Sequence, residues 1–569
     1  MNYKFKSILA LLALFAITAC ETVELELVEN PNQVSEESLD PDFLFNNAQL
    51  GFIGFFNAAA GGNGTFTQDV TRMRQLSGGN TYNNAYAPVN FNGLWTVYSN
   101  ALIDIRTLEE PALETGLTYH IGTAKVMESY IVSTLVDLFG DVPYSEALMG
   151  ETITNPTADP QADLYKVAYD LLDEAIVLLS EEPSLYPSED LFYGDGDGEV
   201  NEDTATLWIT AAKTLKLRIL NNARLNGSAL GVDIVAEANA LLSENDLIDT
   251  PEENFTFQYG SSRLNPNTRH PMYNGFYENA AGGYMSNWFM WQLAVEKGFD
   301  DPRLPYYFYR QDTDATDEDL FTLDCLGAAI PAQYNSVSSL YNSTIVPFCV
   351  TDAARGYWGR DHGDNSGIPP DATKRTAPGL YPAGGKFDAG EGGSVQNAGT
   401  DGAVGAGIAP IWLSSFTKVI QAEMALTLGT PGDPASLMED AVRDSFSLVQ
   451  NFAGFTLDDA DAQMDLEDAN DDYVTFILDE FSAGSDIRKL DLLMKEYHIL
   501  AWGNGLETYN NYRRTGFPSN MQPMILPDPG AYFRSALYPN NYVTLNTNAN
   551  QKERTEQIFW DTNPAGFID

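Results

Sequence analysis

From Pro41 onward, the first half of the chain repeats apolar positions at intervals of three and four. In residues 118–138, Ile121, Ala124, Met127, Ile131 and Leu135 fall on one face, which predicts a helix. Residues 161–181 predict a second, with a stripe of Leu164, Val167, Leu171, Ala175 and Leu178 widened by Leu172, Ile176 and Leu179. A third covers about 204–225, where Leu207, Ala211, Leu215, Arg218 and Leu225 mix apolar packing with basic edges. The pattern returns at 412–428, 434–452 and 485–501. Helices with apolar faces this wide cannot stand alone. Occurring in pairs, they predict a mainly all-α scaffold of stacked tetratricopeptide-like helix–turn–helix units, although the strict repeat signature is not visible. Residues 227–410 break the pattern, and 379–407 hold ten glycines, a density that helix interiors do not tolerate. This long, irregular, loop-rich insertion is where a binding face is expected.

The N-terminus follows a different logic. Lys4 and Lys6 precede a charge-free apolar run from Ile8 to Ile17. The run is too short for a permanent bilayer span, which needs about 20 apolar residues, and it fits the apolar core of an export signal. The sequence Ile17-Thr18-Ala19-Cys20 then resembles a bacterial lipobox, in which the cysteine is acylated and becomes the mature N-terminus. The expectations are a lipoprotein signal peptide at 1–19, a lipid anchor on Cys20, a flexible acidic tether over 20–40 and a globular domain over 41–569. Acyl chains contribute roughly 0.8 kcal/mol of membrane affinity per buried CH₂, so several on one residue tether durably.

The net charge of −49 repels phosphate backbones and excludes nucleic acid as a partner class. An apolar content of 44% is that of a globular chain. Eight Trp, 29 Tyr and 30 Phe supply flat rings of the kind on which carbohydrate C–H faces stack. With Cys20 acylated, an oxidising export route favours a disulfide between Cys325 and Cys349. The four histidines show no metal-ligand spacing, so no transition-metal site is expected. Asp195, Asp197 and Glu199 alternate in a way that suggests Ca²⁺. They lack the twelve-residue register of a calcium loop, and a solvated loop is the preferred reading. No cofactor is expected.

Three segments carry candidate ligand chemistry. "GYWGRDHGDNSGIPPD" gathers Trp358, Arg360, Asp361, His362, Asp364 and Asn365, a stacking plane beside forked donors and acceptors that suit vicinal hydroxyls. The alternative is a loop pinned by its own hydrogen bonds. Residues 72–98 offer Arg72, Arg74, Asn80, Tyr82, Asn83 and Trp95, or a loop packed on the scaffold. In "GYMSNWFMW", Trp288 and Trp291 share a helix face, a spacing more typical of core. Lys216 and Arg218 read as supports for packing or helix ends, and the tandem Arg513 and Arg514 as partners for acidic helices.

Five stretches, in order behind the lipobox, resemble the SusD/RagB family of outer-membrane nutrient-binding lipoproteins. They are "LVDLFGDVPYSEAL", "LWITAAKTLKLRI", "DPRLPYYF", "YWGRDHGDNSGIPPD" and "GNGLETYNNYRRTGFPS". The resemblance implies four tetratricopeptide-like helix pairs beneath irregular loops and lipid anchoring at the outer membrane, on the cell surface. It implies a SusC-type TonB-dependent transporter as partner, and binding of oligosaccharide, or of peptide or another nutrient, without cleavage. A surface glycosidase would need two carboxylates at a set separation, and 80 acidic residues make any such pair unspecific. No GxSxG, HExxH or phosphate-cradling motif is present. An adhesin would lack both pocket and transporter.

Overall fold

The computed structural model describes residues 40–568 apart from 63–64, 77, 195–199, 279–282, 312–322, 367–374, 383, 388–401 and 453–459. The signal peptide, Cys20, the tether up to residue 39 and the acidic trio Asp195, Asp197 and Glu199 lie outside the described residues.

The chain is mainly helical. Asp40 caps the first helix, α1 (Pro41–Ala59), its side chain accepting from the Asp42 amide at 3.0 Å. There follow α2 (Ile103–Thr115), α3 (Thr118–Phe139), α4 (Gln161–Leu179), α5 (Glu202–Ala223) and α6 (Ile234–Glu244). The C-terminal part adds α7 (Asn287–Ala294), α8 (Ser414–Leu428), α9 (Pro434–Gln450), α10 (Ala460–Ala483), α11 (Asp486–Leu500) and α12 (Gly505–Thr515). All six helices predicted from periodicity are present, with ends shifted by no more than two residues. Helix α1 packs on α2, α3 on α4, α8 on α9 and α10 on α11, the paired stacking that wide apolar stripes demand. Helix α3 is buried along its whole length. It stops where Gly140 takes a φ of 77°, a conformation costly for other residues, with its N–H bonded to the Val136 carbonyl.

Among its described residues, the irregular insertion includes α6, α7 and four short strands. Strand β1 (Phe255–Tyr259) pairs antiparallel with β4 (Gly407–Trp412), opposing Thr256 to Pro410 and Tyr259 to Gly407. Strand β2 (Phe308–Arg310) pairs antiparallel with β3 (Thr376–Pro378). One apolar cluster, running from Leu44 to Ile568, binds helices and insertion together.

A buried ionic seam joins the N-terminal and C-terminal helices. Arg218 of α5 contacts Glu507 of α12 at 2.7 Å and Asp137 of α3 at 3.3 Å. Asp137 also accepts from Tyr165 (3.0 Å), Asn510 (2.8 Å) and Trp560 (3.0 Å). Glu423 of α8 meets Arg514 at 2.7 Å and Arg224 at 2.8 Å. Arg513 donates to the Asp137 and Arg534 carbonyls, both at 2.8 Å. The basic residues read as structural in the sequence therefore have internal partners, Lys216 pairing with Asp173. Among the described residues, no helix is long and apolar enough to cross a membrane.

Candidate functional site

The loop 357–366 and the segment 72–86 come together. Arg72, with a left-handed φ of 62°, donates to the Gln522 and Val70 carbonyls (3.1 and 2.8 Å) and to the Tyr82 hydroxyl (3.1 Å). That hydroxyl lies 3.1 Å from His362 Nε2, and Gln75 donates to the Asp364 carbonyl at 2.5 Å. Two of the segments singled out in the sequence thus share one network.

That network is internal. Asp361 accepts from Asn287 (3.1 Å), Gln522 (2.8 Å) and the Cys349 amide (2.6 Å). Burial pushes its carboxyl up to about 6, although these donors favour the charged form. Burial, helped by the charge of Arg72, holds His362 well below its ordinary range and therefore neutral. Cys325 and Cys349 form a disulfide with Cα atoms 5.5 Å apart. Trp358 packs against this bridge and Leu323 with no exposed surface. The expected stacking plane is corrected here: a ring enclosed on all sides packs the loop and offers no face to a sugar. Arg360, Asp361, His362, Asp364 and Tyr82 are buried as well, and Asn365 alone of this group is exposed. Trp288 and Trp291 are core, as their spacing indicated.

Trp95 differs, being half-buried. Its ring meets Phe139 at 5.0 Å, Tyr542 at 5.1 Å, Tyr98 at 5.5 Å and Tyr538 at 6.4 Å. The turn that ends α3 organises this patch. The Tyr98 hydroxyl donates to the Pro143 carbonyl at 2.7 Å and the Tyr538 hydroxyl to the Asp141 carbonyl at 2.6 Å. Asn92 accepts from the Asn541 amide at 3.1 Å, and Asn540 and Asn541 are exposed beside Tyr542. Half-exposed rings bordered by amides are the combination that binds sugars, one supplying the apolar face and the other the donors and acceptors. Trp95 stands apart from the Tyr82 network and is connected to it through intervening rings, among them Phe139, Phe91, Phe66 and Phe533.

Three depressions lie elsewhere in the fold, one of them a groove of ≈ 250 Å³ lined by Tyr532, Arg534 and Gln557. The cleft lined by Phe56, Asn57, Gln68, His270, Tyr381 and Trp502 encloses ≈ 10 Å³, room for about one water. A wider groove of ≈ 290 Å³ beside Leu44, Ile103, Arg106 and Leu148 has no aromatic lining.

Residues 31–347, more than half of the chain, match the SusD-like family described as "Starch-binding associating with outer membrane". The chain belongs to this family. No curated protein matches it in sequence. Among solved structures, a chitin-binding protein is 18% identical with a TM-score of 0.63, covering 92% of this chain and 100% of its own. A SusD homolog from Bacteroides fragilis is 17% identical with a TM-score of 0.63 and the same coverage. A SusD/RagB family protein from Bacteroides thetaiotaomicron is 18% identical with a TM-score of 0.62, over 93% of this chain and 100% of that one. At these identities the likeness establishes the shared fold.

For this SusD-like protein, sequence reasoning singled out Trp95 but not the tyrosines that pack around it. Tyr538 and Tyr542 come from more than 400 residues away in the chain. Their spacing of four within the amide-rich "LYPNNYVTL" is the signal that marks them. Among the described residues, no group of three or more His, Cys, Asp or Glu is placed to hold a metal ion.

Proposed function

We propose that this SusD-like protein is a surface lipoprotein of the outer membrane. It is anchored through acylated Cys20, binds oligosaccharide at the Trp95 patch without cleaving it, and delivers it to a SusC-type TonB-dependent transporter. The observation that carries the reading is the family match over residues 31–347. The half-exposed Trp95 with its tyrosine and amide surround supports the choice of site, and the lipobox supports the anchor. Stacking a sugar on Trp95 is expected to contribute about 1–3 kcal/mol, as for a base on an aromatic side chain. Trp95→Ala should therefore weaken binding roughly fivefold to hundredfold with the helical circular dichroism unchanged. Calorimetry against starch- and chitin-derived oligosaccharides measures this. An unchanged affinity removes Trp95 from the site, and reducing ends released by the purified protein would refute a purely binding role.

A further inference from the structure

The last four carbonyls of a helix have no partner within it, and at the end of α3 each is met by a donor from beyond the helix. The Val136 carbonyl accepts from the Gly140 amide at 2.8 Å and the Leu138 carbonyl from the Ala536 amide at 2.7 Å. The Asp137 carbonyl accepts from Arg513 at 2.8 Å, and the Phe139 carbonyl from Lys552 Nζ at 2.6 Å. Two cations thus meet the negative end of the helix dipole.

Lys552 is tied to the Trp95 patch as well. Its Nζ lies 5.5 Å from the centroid of the Tyr538 ring, which stacks on Phe139 at 6.4 Å and 18°. The preceding Gln551 holds the Tyr538 backbone, its Oε1 accepting from the amide at 3.0 Å and its Nε2 donating to the carbonyl at 2.9 Å. The Lys552 amide donates to the same Oε1 at 2.9 Å. Residues 551–552 therefore grip Tyr538 by backbone and ring together, and the Trp95 ring stands 6.4 Å from it.

The charged groups that face Lys552 are Asp141 from the turn after α3, Glu556 from its own segment and Arg513 from α12. Burial lowers its ammonium to about 8, Arg513 adding to the fall and the two carboxylates opposing it. The tyrosines of the patch move the other way. Burial raises the hydroxyls of Tyr98 and Tyr538, and that of Tyr542 to about 12. Lys552 therefore changes charge well before any of these hydroxyls does.

We propose that Lys552 is a positioning residue for oligosaccharide binding: its ammonium group, held between the Phe139 carbonyl and the Tyr538 ring, keeps Tyr538 and Trp95 in their binding arrangement. This rests on the reading of the Trp95 patch as the glycan site and adds a control on it. A cation is attracted to the face of a ring and to a helix C-terminus, whereas a neutral amine loses both attractions. Loss of the proton therefore frees Tyr538 beside Trp95, and affinity falls as pH rises.

Calorimetry of the full protein against starch- and chitin-derived oligosaccharides tests this, over a pH series from about 6.5 to about 9.5 that brackets the lysine midpoint. Wild-type affinity should hold at the lower end and fall roughly threefold to tenfold as pH passes about 8. Lys552→Met should bind weakly by the same factor at neutral pH, with no further fall. Lys552→Arg, charged throughout the series, should restore most of the affinity and also lack the fall. Circular dichroism identifies the variants that fold, and the fall must vanish from each of them. Buried Lys495 is also lowered to about 8, so a loosening of the fold through that residue would persist in both variants. A flat wild-type profile, or a fall retained by a folded variant, overturns the inference and leaves glycan binding intact. Absence of binding at every pH fells both readings together.

Discussion

Trp358 shows how one side chain can carry opposite meanings in sequence and in space. Its neighbours Arg360, Asp361, His362 and Asp364 make a sugar-binding composition, yet the ring fills the space behind the Cys325–Cys349 bridge. Truncating it leaves a cavity, so Trp358→Ala should cost about 3–5 kcal/mol of stability. At a temperature where the variant stays folded, its oligosaccharide affinity should match wild type. Urea unfolding paired with calorimetry separates the two effects; lost affinity at unchanged stability would return Trp358 to the binding site. Polar composition alone could not reveal this, because the partners that enclose the loop, Asn287 and Gln522, lie far away in the chain.

At the scale of elements, what the sequence made legible followed from local physics. Periodicity placed α3, α4, α5, α8, α9 and α11 because a buried face recurs every three to four residues whatever the helix packs against. The irregular insertion was recognised but not resolved. Strands β2 and β3 have three residues each and pair across more than 60 positions, which leaves no periodic trace. The candidate patch was half legible for the same reason: Trp95 stands in a recognisable loop, whereas Tyr538 and Tyr542 reach it only through the fold. The disulfide is the covalent element of the insertion. It closes a sequence separation of 24 residues, and a loop of that size corresponds to about 3–4 kcal/mol in the chain-entropy account. Replacing both cysteines by serine should lower stability by that order, and reducing agent should lower the melting temperature of wild type but not of the double variant. Equal melting behaviour with and without reductant would refute this.

For the whole molecule, the seam through Glu423 ties stability to pH. Burial alone would raise its carboxyl, but the charges of Arg224 and Arg514, with hydrogen bonds from Arg514 and Asn221, hold it down at about 2. Its folded value lies below the unfolded one of about 4.3, so the unfolded chain binds the proton first on acidification. The contribution is complete above the unfolded value and lost as pH falls through about 2, on the order of 3 kcal/mol. Stability measured by urea midpoint should drop across that window. The difference between wild type and Glu423→Gln should shrink over the same range, and a constant difference would contradict the assignment.

The hub at Asp137 has a consequence for timing. Its acceptors are filled from α4, α5, α12 and finally Trp560, nine residues from the last one. A chain emerging from its N-terminus therefore exposes a carboxylate destined for the interior long before its last partner exists. The early helix pairs have their apolar faces from the start but gain their ionic closure only when the final segment arrives. Local contacts form quickly and distant ones wait on the chain, so the contact between Asp137 and Trp560 depends on a loop of more than 400 residues being closed.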